Sequence, residues 1–340
     1  MNGGEKRRHG LNRRRFLQLV AVTGVSAACW RLGLFSGETL QVARHSLPIM
    51  GTVLNLTVYG PDKDQCQEGV VKTATAMRAL ESKLSRHMES SELARLNRHG
   101  LIHSPSPELL EVLSLARDLY HRTSGAFDVT MLPLLRLHEE MRASGDHPGD
   151  NSLVQARLAV SMDGVSDGEG SLRLTRPGMG LTLDGIGKGY LVDRGVAALK
   201  ASGFTNVYVE AGGDLMVTGN KEGRTPWRIA LRPPRPRPGE KPVVVAVSGK
   251  AVATSGDYLQ AFSADFRHHH IIDPRSGFSP PELASCTVTA PTVALADGLA
   301  TALMVLGRED GLALIEGMDG CEAYLVDKGM QVTHSKGFFS

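Results

Sequence analysis

Residues 291–307 read PTVALADGLATALMVLG, and this near-unbroken apolar run predicts a buried helix. The run carries one carboxylate, Asp297, and one hydroxyl, Thr301. Four positions apart on a 3.6-residue helix, both project from the same face. An unpaired carboxylate among Ala, Leu and Val would cost several kcal/mol, on the order expected for polar burial. Something must therefore face Asp297. A helix this apolar also needs layers around it, which the rest of the chain must supply.

The flanking segments read as strands and helices of such a layered fold. MGTVLNLTVYG (50–60) alternates Val53, Asn55 and Thr57 with Leu54, Leu56 and Val58, a strand pattern. A helix is expected from about 67 to 84, and a short one over SSELARLN (90–97). In 106–125, Ser106 suits an N-cap, Pro107 the first helical position and Gly125 the stop. The polar, Gly- and Asp-rich stretch 143–170 reads as a surface excursion. Over 171–204, two short strands lead into a glycine cluster and a helix closed by Gly203. NVYVEAGGDLMVTG (206–219) reads as a hairpin. WRIALR (227–232) and VVVAVS (243–248) are further strands, separated by PPRPRPGEKP (233–242). That Arg/Pro-rich stretch suits anionic lipid or a peptide-recognition module, but an exposed loop is the simpler reading. The fold class is α+β: mixed, largely antiparallel sheets flanked by helices, acting as one unit.

Composition sets the outer bounds. The chain has 340 residues, 41% hydrophobic and 22% charged, with a formal net charge of +2 that makes no case for nucleic acid. Residues 12–29 read NRRRFLQLVAVTGVSAAC, where Arg13, Arg14, Phe16 and Leu17 resemble a twin-arginine export signal. Its apolar run of about 14 residues is short of the ~20 that span a bilayer. Residues 1–30 are thus expected to direct the folded protein to the periplasm. Cys29 follows Ser26-Ala27-Ala28, and lipidation there would attach the protein to the inner membrane, although the Leu usual three residues earlier is missing. The other cysteines, Cys66, Cys286 and Cys321, form no CxxC pair and read as small buried hydrophobes.

Chemistry-bearing residues collect in a few places. In LDGIGKG (183–189), Gly185, Gly187 and Gly189 sit between a strand and a helix. They suit an anion at a helix N-terminus or, equally, a turn that needs close packing. No Ser or Thr follows Lys188, so this is not the phosphate loop of NTPases; its spacing is not GxGxxG either. In GAFDVT (125–130), Phe127 and Asp128 suit either a heterocycle contact or a capped turn. In HHHIIDPRSG (268–277), side-chain alternation lets at most one histidine serve a site.

Taken in order, MGT (50–52), SRHMESSELARLN (85–97), GAFDVT, LDGIGKGYLVD, EAGGDL, TSGDY (254–258), HIIDPRSG and the Asp297/Thr301 helix resemble the ApbE family of flavin transferases. The resemblance runs from about residue 46 to the C-terminus and implies one ApbE-type, T-fold-like catalytic unit over 46–340. It implies transfer of the FMN half of FAD to a threonine of a target flavoprotein, with release of AMP. That partner would belong to a membrane-associated redox complex. Asp297 and Thr301, with a backbone carbonyl at Gly185, would hold magnesium, an ion that favours such hard oxygens. His270 would be the base or a flavin contact, and Lys188 would sit near phosphate. Met50, His87, Ala126, Phe127, Asp128, Thr182 and Asp184 fall at the remaining FAD-binding positions. Two departures stand out: Thr182 replaces the family's loop Asp while Asp184 carries a carboxylate two residues on, and His87 replaces an aromatic. On a strand, a two-residue move keeps the same face. FAD hydrolysis, or FAD carriage for a respiratory complex such as one of nitrous-oxide reduction, are the alternative activities.

Overall fold

The computed structural model describes residues 40–144 and 150–339; the twin-arginine segment and Cys29 lie outside the described residues. β1 (Gln41–Ile49) and β2 (Thr52–Gly60) form a hairpin through Met50-Gly51, which both take positive φ, 48° and 72°. The strand expected from residue 50 therefore starts at Thr52, because the two residues before it make the turn. α1 (Lys63–Leu84) follows an Asp62 cap that accepts the Gln65 N–H at 2.7 Å. α2 (Glu92–His99) is capped by Ser91 and stopped by left-handed Gly100. After β3 (Leu101–His103) comes α3 (Pro107–Arg122), with Ser106 as its cap and Pro107 in its first turn.

The stretch 143–170 is not a plain surface excursion. α4 (Leu132–Ser144) runs into it, α5 (Asp150–Leu158) lies within it, and β4 (Val165–Gly168) near its end pairs with β5 (Ser171–Leu174). Leu153, Ala156 and Val160 pack on a small cluster with Leu132, Leu134 and Ile272. A few apolar residues at helical spacing suffice, even in polar surroundings. Of the two strands expected before the glycine cluster, only β5 forms; Gly180 makes a single bridge with Met131.

α6 (Gly187–Ala201), β6 (Asn206–Ala211), β7 (Asp214–Thr218), β8 (Trp227–Ala230), β9 (Val244–Val247), β10 (Ala251–Gly256) and β11 (Leu283–Ala290) follow. The apolar helix, α7 (Val293–Glu316), breaks at Gly307 (φ 80°), and β12 (Glu322–Asp327) and β13 (Val332–His334) close the chain. The main sheet has the order β1-β2-β6-β7-β10-β11-β12-β13, antiparallel throughout. Alternation splits its side chains: Met216, Ala251 and Ala253 face the helices, while Leu215, Val217 and Val252 face the β8–β9 hairpin and Phe338. α7 lies on β10 and β11 and against α6. β11 is buried along its whole length, as a central strand covered on both sides must be. Among the described residues, Cys66, Cys286 and Cys321 are free and buried. Among the described residues, no helix is long and apolar enough to cross a membrane.

The Arg/Pro-rich loop is anchored rather than free. Leu231 packs under the sheet and Arg235 makes a paired ion contact with buried Asp257.

Candidate active site

Three distant segments hold the glycine loop in place. Asn97, at the end of α2's polar run, clamps Leu181: its Nδ2 donates to the Leu181 carbonyl at 2.8 Å and its Oδ1 accepts the Leu181 N–H at 2.7 Å. The Thr182 N–H donates to the Val129 carbonyl at 2.8 Å, tying the loop to GAFDVT. The third contact is with α7. A Cβ on Gly189 would collide with the Val293 carbonyl, so α6 and α7 cross with backbones touching. One turn on, Asp193 accepts the Val293 and Ala294 N–H groups at 2.8 and 2.9 Å, capping α7.

That crossing sets Asp297 against the first turn of α6. Asp297 Oδ2 accepts the Gly189 N–H at 3.1 Å, and Lys188 Nζ lies 3.4 Å from the same oxygen. Lys188 is closer to a second carboxylate, Asp214 at the start of β7, at 2.7 Å, and also reaches the Asp184 carbonyl at 3.3 Å. Asp214 and Asp297 are 2% and 3% exposed, so two buried carboxylates share one ammonium. Among the described residues, Asp214 Oδ2 has no aligned hydrogen bond despite that ion contact. Burial, with Asp214 beside it, pushes the Asp297 carboxyl above its usual range, against the pull of Lys188. Burial alone would lower the Lys188 ammonium, but the two aspartates outweigh it and hold it charged.

Thr301 lies beside the loop: a Cβ on Gly185 would sit 3.0 Å from its Oγ1, which also contacts Ser255 Oγ at 3.1 Å. Asp297, Asp214 and the Thr301 and Ser255 hydroxyls thus form a hard-oxygen set beside the loop, and with both carboxylates ionised its charge against Lys188 is one negative in excess. That set fits magnesium.

The remaining sequence-derived positions divide. Met50 donates its N–H to Glu81 Oε1 at 2.6 Å, and its thioether lies by Gly187. Ala126 and Phe127 are buried, with the Phe127 ring against Gly185 and Gly298, so they shape the loop's floor. Asp128 has the capped-turn geometry, accepting from Thr130 N–H and Oγ1, both at 2.7 Å. Thr182 and Asp184 do not share a face: Thr182 is buried and Asp184 exposed. The segment leaves the strand conformation at Leu183, whose carbonyl accepts the Ile186 and Gly187 N–H groups. Asp184 instead pairs with Arg86 at 2.7 Å, and Arg86 also reaches Glu139 at 3.0 Å. Its side chain stays in contact with solvent, yet the surrounding loop desolvates the carboxyl enough to oppose ionisation; the Arg86 guanidinium outweighs this and holds it below the ordinary range. His87, next to Arg86, is exposed.

The three histidines alternate: His268 outward, His269 fully buried, His270 half-buried. Burial pushes His270 down to about 4, so its ordinary value near 6.5 does not apply and the ring is neutral at pH 7. Its Nδ1 is buried with no partner among the described residues.

A family model described as the ApbE family matches residues 50–325. The chain belongs to the ApbE family. It is 33% identical over 277 residues to the FAD:protein FMN transferase of Vibrio cholerae, covering 79% of this chain and 83% of that one. With the FAD:protein FMN transferase of Treponema pallidum it shares 29% over 347 residues, covering 92% and 95%. The apo structure of the Pseudomonas stutzeri flavinyl transferase ApbE superposes with a TM-score of 0.76 at 30% identity, over 91% of this chain and 99% of that one. The Thermotoga maritima ApbE protein gives 0.78 at 26%, over 88% and 100%.

Against this ApbE fold, the sequence reading missed Asp214, Arg86, Asp193 and Ser255. Asp214 had a signal: a carboxylate directly after Gly212-Gly213 and before Leu215-Met216-Val217 enters a buried strand at its first position. Arg86 and Ser255 lie inside two of the segments that carry the resemblance, SRHMESSELARLN and TSGDY, but their partners lie far away in sequence and no local pattern names them.

Proposed function

We propose that this ApbE-family chain binds FAD and transfers its FMN half to a threonine hydroxyl of a target flavoprotein, releasing AMP, with magnesium required. The observation that carries the metal-assisted reading is the buried cluster of Asp214, Lys188 and Asp297, one negative charge in excess and beside the Thr301 hydroxyl. Asp297, Thr301 and the Gly185 backbone would hold magnesium, which when bound neutralises the pyrophosphate and makes its phosphorus more electrophilic. The Gly187, Gly189 and Tyr190 N–H groups in the first turn of α6 already donate to the Leu183 carbonyl, Asp297 and the Ile186 carbonyl, so side chains rather than these amides would meet the phosphate. Lys188 adds a cation whose charge is secure at neutral pH. The acceptor oxygen forms the new bond to the FMN phosphorus, and the bond to the AMP oxygen breaks. His270, neutral and with a free ring nitrogen, takes the hydroxyl proton. The acceptor belongs to a membrane-associated redox complex, reached after export to the periplasm.

The test is incubation of the protein with FAD, magnesium and a candidate acceptor, read by intact mass. A gain of one FMN less water on the acceptor, absent in EDTA, supports the proposal. Free FMN and AMP with an unmodified acceptor would make the protein a hydrolase, and retained FAD a carrier.

A further inference from the structure

Among the described residues, Asp214 is a buried carboxylate without an aligned hydrogen bond at Oδ2, and the transfer reaction as described counts its charge but gives it no contact with substrate or metal. Its position is specific. The Gly212-Gly213 turn, with φ of 68° and 103°, delivers it to the first residue of β7. Glu210 fixes the turn by accepting the Gly213 N–H at 2.6 Å, and Asn55 holds Glu210 in turn at 2.6 Å. The other Asp214 oxygen accepts the Thr254 N–H at 3.3 Å. The carboxylate is thus aimed at Lys188 Nζ, 2.7 Å away, while the same ammonium stands 3.4 Å from Asp297. Asp184, the next carboxylate along, is already met by Arg86.

We propose that Lys188 is a tethered cation standing in for the metal at Asp297, and that Asp214 is the positioning residue that draws the ammonium aside when a divalent cation arrives. The inference rests on the metal-dependent reading above. Two distances carry it: the ammonium touches both carboxylates but is held nearer the one that is not on α7. Without Asp214, Lys188 and Asp297 would collapse into a neutral pair, and a cation would have to break it. With Asp214, the pocket keeps one negative charge in excess, and Lys188 has somewhere to remain. Buried charges respond to such sums more strongly than exposed ones, because little water screens them.

The experiment is binding of Mn2+ to the purified protein without FAD, followed by the electron paramagnetic resonance signal of the free ion. At pH 8, where both carboxylates are largely ionised, charge sums order the variants. Asp214→Asn makes the cluster neutral and weakens Mn2+ roughly tenfold; Lys188→Met makes it doubly negative and tightens Mn2+ by a similar factor. The double variant restores the sum of one and returns near wild type. Lys188→Gln repeats the charge change with a polar side chain, and a thermal melt on each variant establishes that it is folded. Weaker Mn2+ binding in both Lys188 variants, or unchanged binding in Asp214→Asn, would overturn the proposal. FMN transfer by the wild type is read separately, so the transferase reading survives that outcome.

Discussion

Gly189 and Val293 touch backbone to backbone: a Cβ on the glycine would overlap the Val293 carbonyl and approach Ala294 Cα to 2.8 Å. This contact brings the first turn of α6 to Asp297. Gly189→Ala must push the helices apart, and overpacking of this kind costs about 1–3 kcal/mol. At Gly187, a Cβ would meet Leu183 Cβ at 3.3 Å and the end of the flexible Met50 side chain at 3.4 Å. Gly189→Ala should therefore lower the melting temperature and flavin affinity together, whereas Gly187→Ala should change the melt little. Equal melts for the two variants would show that the crossing has slack.

Asp193 makes stability depend on pH. Burial pushes its carboxyl up to about 6, although the Val293 and Ala294 N–H groups pull it down. An acid with a folded value above its unfolded one holds its proton better in the folded state. Its stabilising contribution is complete below about pH 4 and is lost as pH rises through 6. Asp193→Asn keeps an acceptor oxygen and removes the titration. The variant should be more stable than wild type at pH 8, by at most about 3 kcal/mol, and should match it near pH 4. Urea unfolding at pH 4, 6 and 8 measures the difference; a gap that widens towards acid would reverse the assignment.

His270 should not titrate near its ordinary value, because burial holds it at about 4. Transfer rates should then show no acid limb between pH 5.5 and 7.5 that depends on this residue. His270→Gln should slow transfer by roughly a hundredfold, the lower range for a positioned base, and leave FAD affinity nearly unchanged. A rate inflection near pH 6.5 that disappears in His270→Gln would contradict the buried, neutral ring.

How much of this was legible before the structure follows from where each partner lies. The apolar helix and the caps Ser106 and Pro107 depend on neighbours within a turn or two, and periodicity and cap chemistry reveal them; the break at Gly307 and the continuation to Glu316 were not read. β1 was hidden because its buried residues, Ala43, Leu47 and Ile49, are sparse among Arg, His and Ser. The same-face expectation for Thr182 and Asp184 failed because it assumed a strand where the chain turns. Asp214 meets Lys188 only through the pairing of β6, β7 and β10, which no local pattern encodes.

The Arg/Pro-rich loop gives the clearest stability prediction. Asp257 is wholly buried, and Arg235 donates to both its oxygens at 2.9 and 2.8 Å. The guanidinium lies 3.8 Å from the Phe266 ring centroid, while Lys328 Nζ is 3.9 Å from Asp257. Arg235→Met would strand the carboxylate, which Lys328 reaches only at the limit of an ion pair. Breaking one side of a buried pair costs about 3–5 kcal/mol. Arg235→Lys keeps the charge but loses the fork and the ring stacking, so an intermediate loss is expected. Adding Asp257→Asn to Arg235→Met removes the stranded charge, and most of the stability should return. Urea unfolding of the single and double variants measures this coupling. If Arg235→Met unfolds within about 0.5 kcal/mol of wild type, Lys328 moves in to replace the guanidinium and the loop is not anchored by this pair. The pair itself need not stabilise the fold for the prediction to hold, because the penalty comes from a charge left in the interior without its partner.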